Sequence, residues 1–130
     1  MVTDIISNLI IAIKNGNAAG KATISVPYSA LKESIVVALK KAGFIASYEK
    51  KGMKATKTLV IELIYQGRTP RVQGTERVSK PSRRLYHQAK DIKPYRNGFG
   101  RIVYSTPKGV LLDEEAKRLN VGGEILFKIW

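Results

Sequence analysis

Apolar residues recur at helical spacing where the chain begins. Ile5, Ile6, Leu9, Ile10 and Ile13 share one face, Thr3 or Asp4 stands where a cap belongs, and Asn15-Gly16 is the predicted stop. The period then shortens: Thr23 to Val26 reads as a short strand ended by Pro27. From Ser29 the helical spacing returns, with Leu31, Ile35, Ala38, Leu39 and Ala42 on one face and Gly43 as terminator. Phe44 to Glu49 and Thr56 to Tyr65 read as a hairpin across Lys50-Lys51-Gly52-Met53-Lys54.

Gln66-Gly67-Arg68-Thr69-Pro70 is polar and rich in residues that break regular structure, and it divides the chain into residues 1–66 and 67–130. The second half is mostly strands. Arg101 to Tyr104 is strand-like, Ser105-Thr106-Pro107-Lys108-Gly109 is a tight segment, and Gly122-Gly123-Glu124 leads into an apolar tail whose Trp130 is expected in the core. One short helix interrupts the strands. Asp113 is placed to cap it, with Glu114 and Glu115 in the first turn and Lys117 and Arg118 in the last, the order the helix dipole favours. The predicted class is α+β: an N-terminal α-β-α-β-β unit followed by a mostly β C-terminal domain with one short helix.

Composition adds boundaries. A chain of 130 residues that is 44% hydrophobic can bury a core, and without cysteine it forms neither disulfides nor thiolate metal sites, so a cytoplasmic location is expected. The apolar run from Ile5 to Ile13 is broken by Ser7 and Asn8 and preceded by Asp4, which fits neither a signal peptide nor a membrane span.

Charge points to a partner. The net charge is +13, all eight arginines lie after residue 66, and Gly67 to Arg101 holds seven arginines and three lysines against Glu76 and Asp91. A solvated face would be served equally well by lysine, whereas guanidinium groups fork onto phosphates and stack on bases. Arg71, Arg77, Arg83, Arg84, Arg96 and Arg101 therefore read as a phosphate footprint, with Tyr86, His87 and Tyr95 interleaved. The loops at Asn97-Gly98-Phe99-Gly100 and Gly122-Gly123 lack bulk and let a backbone approach another molecule, for which a nucleic acid is the natural partner.

Enzymatic readings find less. Asp113, Glu114 and Glu115 are adjacent on a helix and do not face one another. His87 is the only histidine, and Gly98-Phe99-Gly100 is followed by Val103 where a dinucleotide loop needs glycine. No cofactor, metal or small-molecule substrate is expected. Two alternatives stay open: a small basic ribonuclease using His87 with an acid such as Asp91, and an RNA chaperone without sequence preference. Taken alone, Ser105-Thr106-Pro107 is also compatible with a hydroxyl-capped turn that has no partner, and Gly122-Gly123 with a simple turn.

Several separated motifs together resemble the bacterial small-subunit ribosomal protein S-eight family. They are Asp4-Ile5-Ile6-Ser7-Asn8-Leu9, Ile13-Lys14-Asn15, Val26-Pro27-Tyr28-Ser29 with Leu31-Lys32, Gly43-Phe44-Ile45, and Arg77-Val78-Ser79-Lys80-Pro81 with Arg84-Leu85-Tyr86. Gly100, Val103, Ser105-Thr106, Lys108-Gly109-Val110, Ala116-Lys117 and Val121-Gly122-Gly123-Glu124 complete the likeness, which spans essentially the whole chain.

The resemblance implies a primary binder of the central domain of small-subunit ribosomal RNA, with neighbouring small-subunit proteins and its own messenger RNA as further partners, and with no membrane. It implies an N-terminal unit that contacts RNA backbone and a C-terminal unit that supplies recognition. Ser105 and Thr106 would bond a displaced base or ribose, Gly109, Gly122 and Gly123 would permit close approach, and Lys108 would meet a phosphate. Glu124 would accept from a base amino group or brace the loop. Tyr86, Arg77, Lys80, Arg83 and Arg84 would complete the C-terminal surface, and Lys32 and Lys54 would grip phosphate from the N-terminal unit with Lys14 and Lys21. Pro107 departs from the serine usual in the family, removing a hydroxyl and a backbone donor. Ile5, Ala12, Ala30 and Ser82 are further departures.

Overall fold

The computed structural model describes residues 5–53, 56–80, 82–93 and 100–130. The chain forms two compact units, Ile5–Gln73 and Gly74–Trp130.

The first unit begins with α1 (Ile5–Ala18), β1 (Thr23–Pro27), α2 (Ala30–Ala42), β2 (Ile45–Lys51) and β3 (Thr58–Leu63), the predicted α-β-α-β-β order. Its strands form an antiparallel sheet in the order β1-β3-β2, and Leu9, Ile13, Ile35, Leu39, Leu59 and Ile61 are fully buried. Each such side chain removed from water contributes about 1.5–3 kcal/mol. Both ends of α2 follow the sequence: the Ser29 hydroxyl accepts the Lys32 N–H at 3.1 Å, and Gly43 at φ 82° lets its own N–H reach back to the helix carbonyls.

The end of α1 differs from its sequence reading. The helix passes through Asn15-Gly16 to Ala18, because Gly16 is buried where the side chains of Ile24 and Leu63 leave no room for a Cβ. Gly16 is thus a packing residue, and Gly20 at φ 72° makes the turn. Thr3 and Asp4, read as its cap, lie outside the described residues. The polar stretch after β3 is a small hairpin of β4 (Tyr65–Gln66) and β5 (Thr69–Pro70), with Gly67 at φ 65° in its turn. The division read at 66/67 falls inside this hairpin, and the compact units part at 73/74.

In the second unit β6 (Thr75–Arg77), β7 (Tyr86–His87), β8 (Arg101–Thr106), β9 (Gly109–Leu112) and β10 (Gly123–Ile129) form one antiparallel sheet. The tail β10 is its hub: it pairs with β8 along most of its length, with β6 near its end and with β7 at its start. A 3-10 turn spans Ala89–Asp91 and α3 spans Asp113–Arg118. Ile92, Ile102, Tyr104, Ala116 and Ile125 form the core, flanked by Val78, Leu85, Leu111 and Val121. Trp130 is half-buried and exchanges backbone hydrogen bonds with Gly74 at 3.0 and 3.1 Å.

The predicted cap of α3 is displaced by one residue. Leu112 is the cap and makes no side-chain cap bond, while Asp113 is the first helical residue, with its Oδ1 accepting the Glu114 N–H at 2.9 Å. Asp113 is 3% exposed, so this carboxylate sits in the core, where a cap would meet solvent.

Candidate nucleic-acid interface

The tight segment of the second half is the β8–β9 hairpin. Thr106 pairs with Gly109, leaving Pro107 and Lys108 as the turn. Proline suits the first corner of such a turn, and the positive φ falls on Gly109, at 107°. The Thr106 hydroxyl braces it, donating to the Gly109 carbonyl at 2.8 Å and accepting the Lys108 N–H at 3.1 Å. Its one donor is thereby used. Ser105, half-buried on the preceding position, has no such bond among the described residues.

Gly122 and Gly123 bring β10 close to two other strands. A Cβ on Gly122 would strike the His87 carbonyl and Gln88, and one on Gly123 would strike the Ser105 carbonyl. Both glycines therefore serve contacts inside the unit. The register places Gly123 opposite His87, and Glu124 opposite both Tyr86 and Ser105. The result is an open cleft of about 740 Å³ lined by Tyr86, His87, Ser105, Thr106, Gly123 and Glu124, with the 3-10 turn and Asn120 also contributing.

Tyr86 is 66% exposed, a large ring left in water beside the cleft. Glu124 is mostly covered and accepts from the Arg84 guanidinium at 3.1 and 3.3 Å, so this arginine is held against the cleft's rim. Behind the wall, His87 Nδ1 lies 2.9 Å from the hydroxyl of the fully buried Tyr104. Burial, assisted by the nearby Asp113 carboxylate, pushes that phenol up to about 12. Burial also raises the carboxyl of Asp113, against the opposing pull of the Glu114 N–H and the Arg101 charge.

The basic residues divide into two groups. Lys80 and Arg83 exchange backbone hydrogen bonds at 2.8 and 2.9 Å and expose their side chains, and Lys108 and Arg68 are exposed as well. Others are employed inside the fold. Arg77 donates to the Leu126 carbonyl at 2.5 Å, Arg101 to the Gly100 carbonyl at 3.1 Å, and Arg71 stacks 4.1 Å from the centre of the Phe44 ring. Lys32 is 8% exposed and donates to the Pro27 carbonyl at 3.0 Å, so its ammonium ties α2 to the end of β1; burial lowers its pKa. Lys54, Tyr95, Arg96 and Asn97-Gly98-Phe99 lie outside the described residues.

Sequence reasoning missed some neighbours. Gln88, Ala89, Lys90 and Asn120 join the cleft only because strands distant in sequence converge. Asn120, at φ 55° just after α3, carried the only advance signal, as asparagine tolerates that conformation. In the first unit Lys57 and Lys50 flank Tyr28 at 4.8 and 5.7 Å, and Lys50 is anchored by Glu33 at 3.4 Å. Among the described residues, no three His, Asp or Glu side chains gather to hold a metal, and no helix is long and apolar enough to cross a membrane.

A family model described as Ribosomal protein S8 matches residues 4–130. The small ribosomal subunit protein uS8 of Mycoplasmopsis synoviae is 43% identical over 130 residues, covering 99% of this chain and 98% of its own. That of Dictyoglomus turgidum is 41% identical over 129 residues, again covering 99% and 98%. That of Mycoplasma mycoides is 41% identical over 130 residues, the full length of both chains.

Proposed function

We propose that this chain, which belongs to the ribosomal protein S8 family, is a structural constituent of the cytoplasmic small ribosomal subunit that binds ribosomal RNA and organises the RNA's central domain. Its role is structural and non-enzymatic, as membership of a ribosomal-protein family implies. Neighbouring small-subunit proteins are its further partners, and its own messenger RNA is a second target wherever it copies the ribosomal site.

The observation that carries the reading is the cleft. Regular A-form RNA hides its major groove, so a protein must read a widened minor groove, 2′-hydroxyls and splayed bases. The cleft offers the Ser105 hydroxyl, the Glu124 carboxylate and the exposed Tyr86 ring within one open concavity. A stacked base suits Tyr86. Exposed Lys80, Arg83 and Lys108 supply phosphate neutralisation around it. The N-terminal unit assists through backbone contacts.

No hydrogen bond joins His87 to Asp91 among the described residues, which favours the binding role over a ribonuclease. Among the described residues its imidazole bonds the Tyr104 hydroxyl, and the Asp91 side chain stands exposed on the 3-10 turn.

The test is a pair of titrations at fixed salt, a central-domain RNA helix against an unrelated duplex. Ser105→Ala should cost about 1–2 kcal/mol on the first, as expected for a good hydrogen bond whose partner is left unsatisfied, and barely change the second. Equal binding of both RNAs by the parent would overturn the reading.

A further inference from the structure

We propose that His87 is a specificity-determining residue, donating from Nε2–H to an acceptor on a displaced base in the cleft, and that Tyr104 is the positioning residue that holds the imidazole in that tautomer. The inference rests on the RNA-binding reading above.

Tyr104 is fully buried, so its hydroxyl proton needs an acceptor. Among the described residues the acceptor in reach is His87 Nδ1, at 2.9 Å. Were Nδ1 protonated, it would donate to the phenol oxygen and leave the phenol's own proton with no hydrogen-bond partner among the described residues. The favoured arrangement is the reverse: Tyr104 donates, Nδ1 accepts, and the imidazole proton sits on Nε2. With its ionisation pushed up to about 12, the phenol keeps its proton at any working pH.

The two rings are tilted at 40° with centroids 5.9 Å apart, so the bond also fixes where the imidazole lies. His87 lines the cleft, and with Nδ1 committed inward, Nε2 is the ring nitrogen left to serve it. In the β7–β10 pairing His87 faces Gly123 and Glu124 faces Tyr86, so the imidazole and the carboxylate leave opposite faces of the strands, and the donor at Nε2 serves the cleft independently of Glu124. A base that presents an acceptor to that fixed donor is thereby told from one that presents a donor at the same position. A single fixed N–H donor suits a base acceptor, while the exposed Lys80, Arg83 and Lys108 are the groups that suit phosphate. Neither residue of the pair is near the other in sequence; the device exists only in the fold.

Two measurements on the full chain test it. Long-range proton–nitrogen correlation spectra of the free protein should show Nε2 protonated and Nδ1 bare, and Tyr104→Phe, which removes only a hydroxyl, should shift the ring toward a mixture of tautomers. Titrations should then show His87→Phe weakening the cognate helix about three- to tenfold, the range for one hydrogen bond, with an unrelated duplex unchanged. His87→Gln, whose amide nitrogen reaches about as far as Nε2, should recover most of that loss. Nδ1 protonated in the parent, equal loss on both RNAs, or full cognate affinity in His87→Phe would each overturn the inference. Failure of the parent to discriminate the two RNAs would instead overturn the proposed function, while the spectra would still decide the Tyr104 lock.

Discussion

Asp113 shows how far a residue's role depends on what surrounds it. The helix pattern around Glu114 and Lys117 is legible in sequence, but the step of one residue that turns Asp113 from solvent cap to core carboxylate is set by how α3 packs on β8 and β9, which local spacing does not encode. Burial raises its folded pKa above the ordinary 3.8. A carboxyl shifted that way contributes most to stability below its unfolded pKa and loses that contribution as pH rises through the folded one. Asp113→Asn keeps the acceptor for the Glu114 N–H and abolishes the titration. Its stability relative to the parent should therefore be most favourable near neutrality and decline as pH falls toward 4, measured by urea melts across that range. A constant difference would contradict the raised pKa. The hydroxyls repeat the lesson: Ser105 and Thr106 look alike in sequence, yet the turn consumes the Thr106 donor and leaves Ser105 available.

At the scale of elements, the order of helices and strands was readable because amphipathic periods and terminators such as Gly43 act locally. Where reading failed, a distant partner intervened: Ile24 and Leu63 pack on Gly16 and carry α1 past its apparent stop. The cleft is of the same kind. It arises where β7 and β8 both meet the start of β10, and two glycines make that junction possible. Gly123→Ala should therefore act through the fold. Its methyl would meet the Ser105 carbonyl, and forcing the strands apart should cost about 1–3 kcal/mol or more. Denaturant melts should show that loss, with cognate RNA affinity falling in parallel. An unchanged midpoint would mean that the strands have room to spare.

For the whole molecule, the charge of +13 says that a polyanion is the partner but not which cations meet it. The structure sorts them by employment. Log affinity for RNA should fall linearly with log salt, and Arg83→Ala should flatten the slope by up to about one unit. Lys32→Ala should leave the slope alone and lower the melting temperature, since that ammonium is spent on the Pro27 carbonyl. A reversed result would place the RNA on the other group of cations.

In the proposed reading, the cleft of the second unit recognises one irregular site in the central domain of the small-subunit RNA. A hydroxyl-radical footprint of the protein on the complete small-subunit RNA tests it most directly. Protection should concentrate on a single helix of the central domain at and around displaced bases, and Ser105→Ala should thin it there while leaving flanking backbone protection in place. Protection spread evenly over duplex regions, or confined to another domain, would contradict the account.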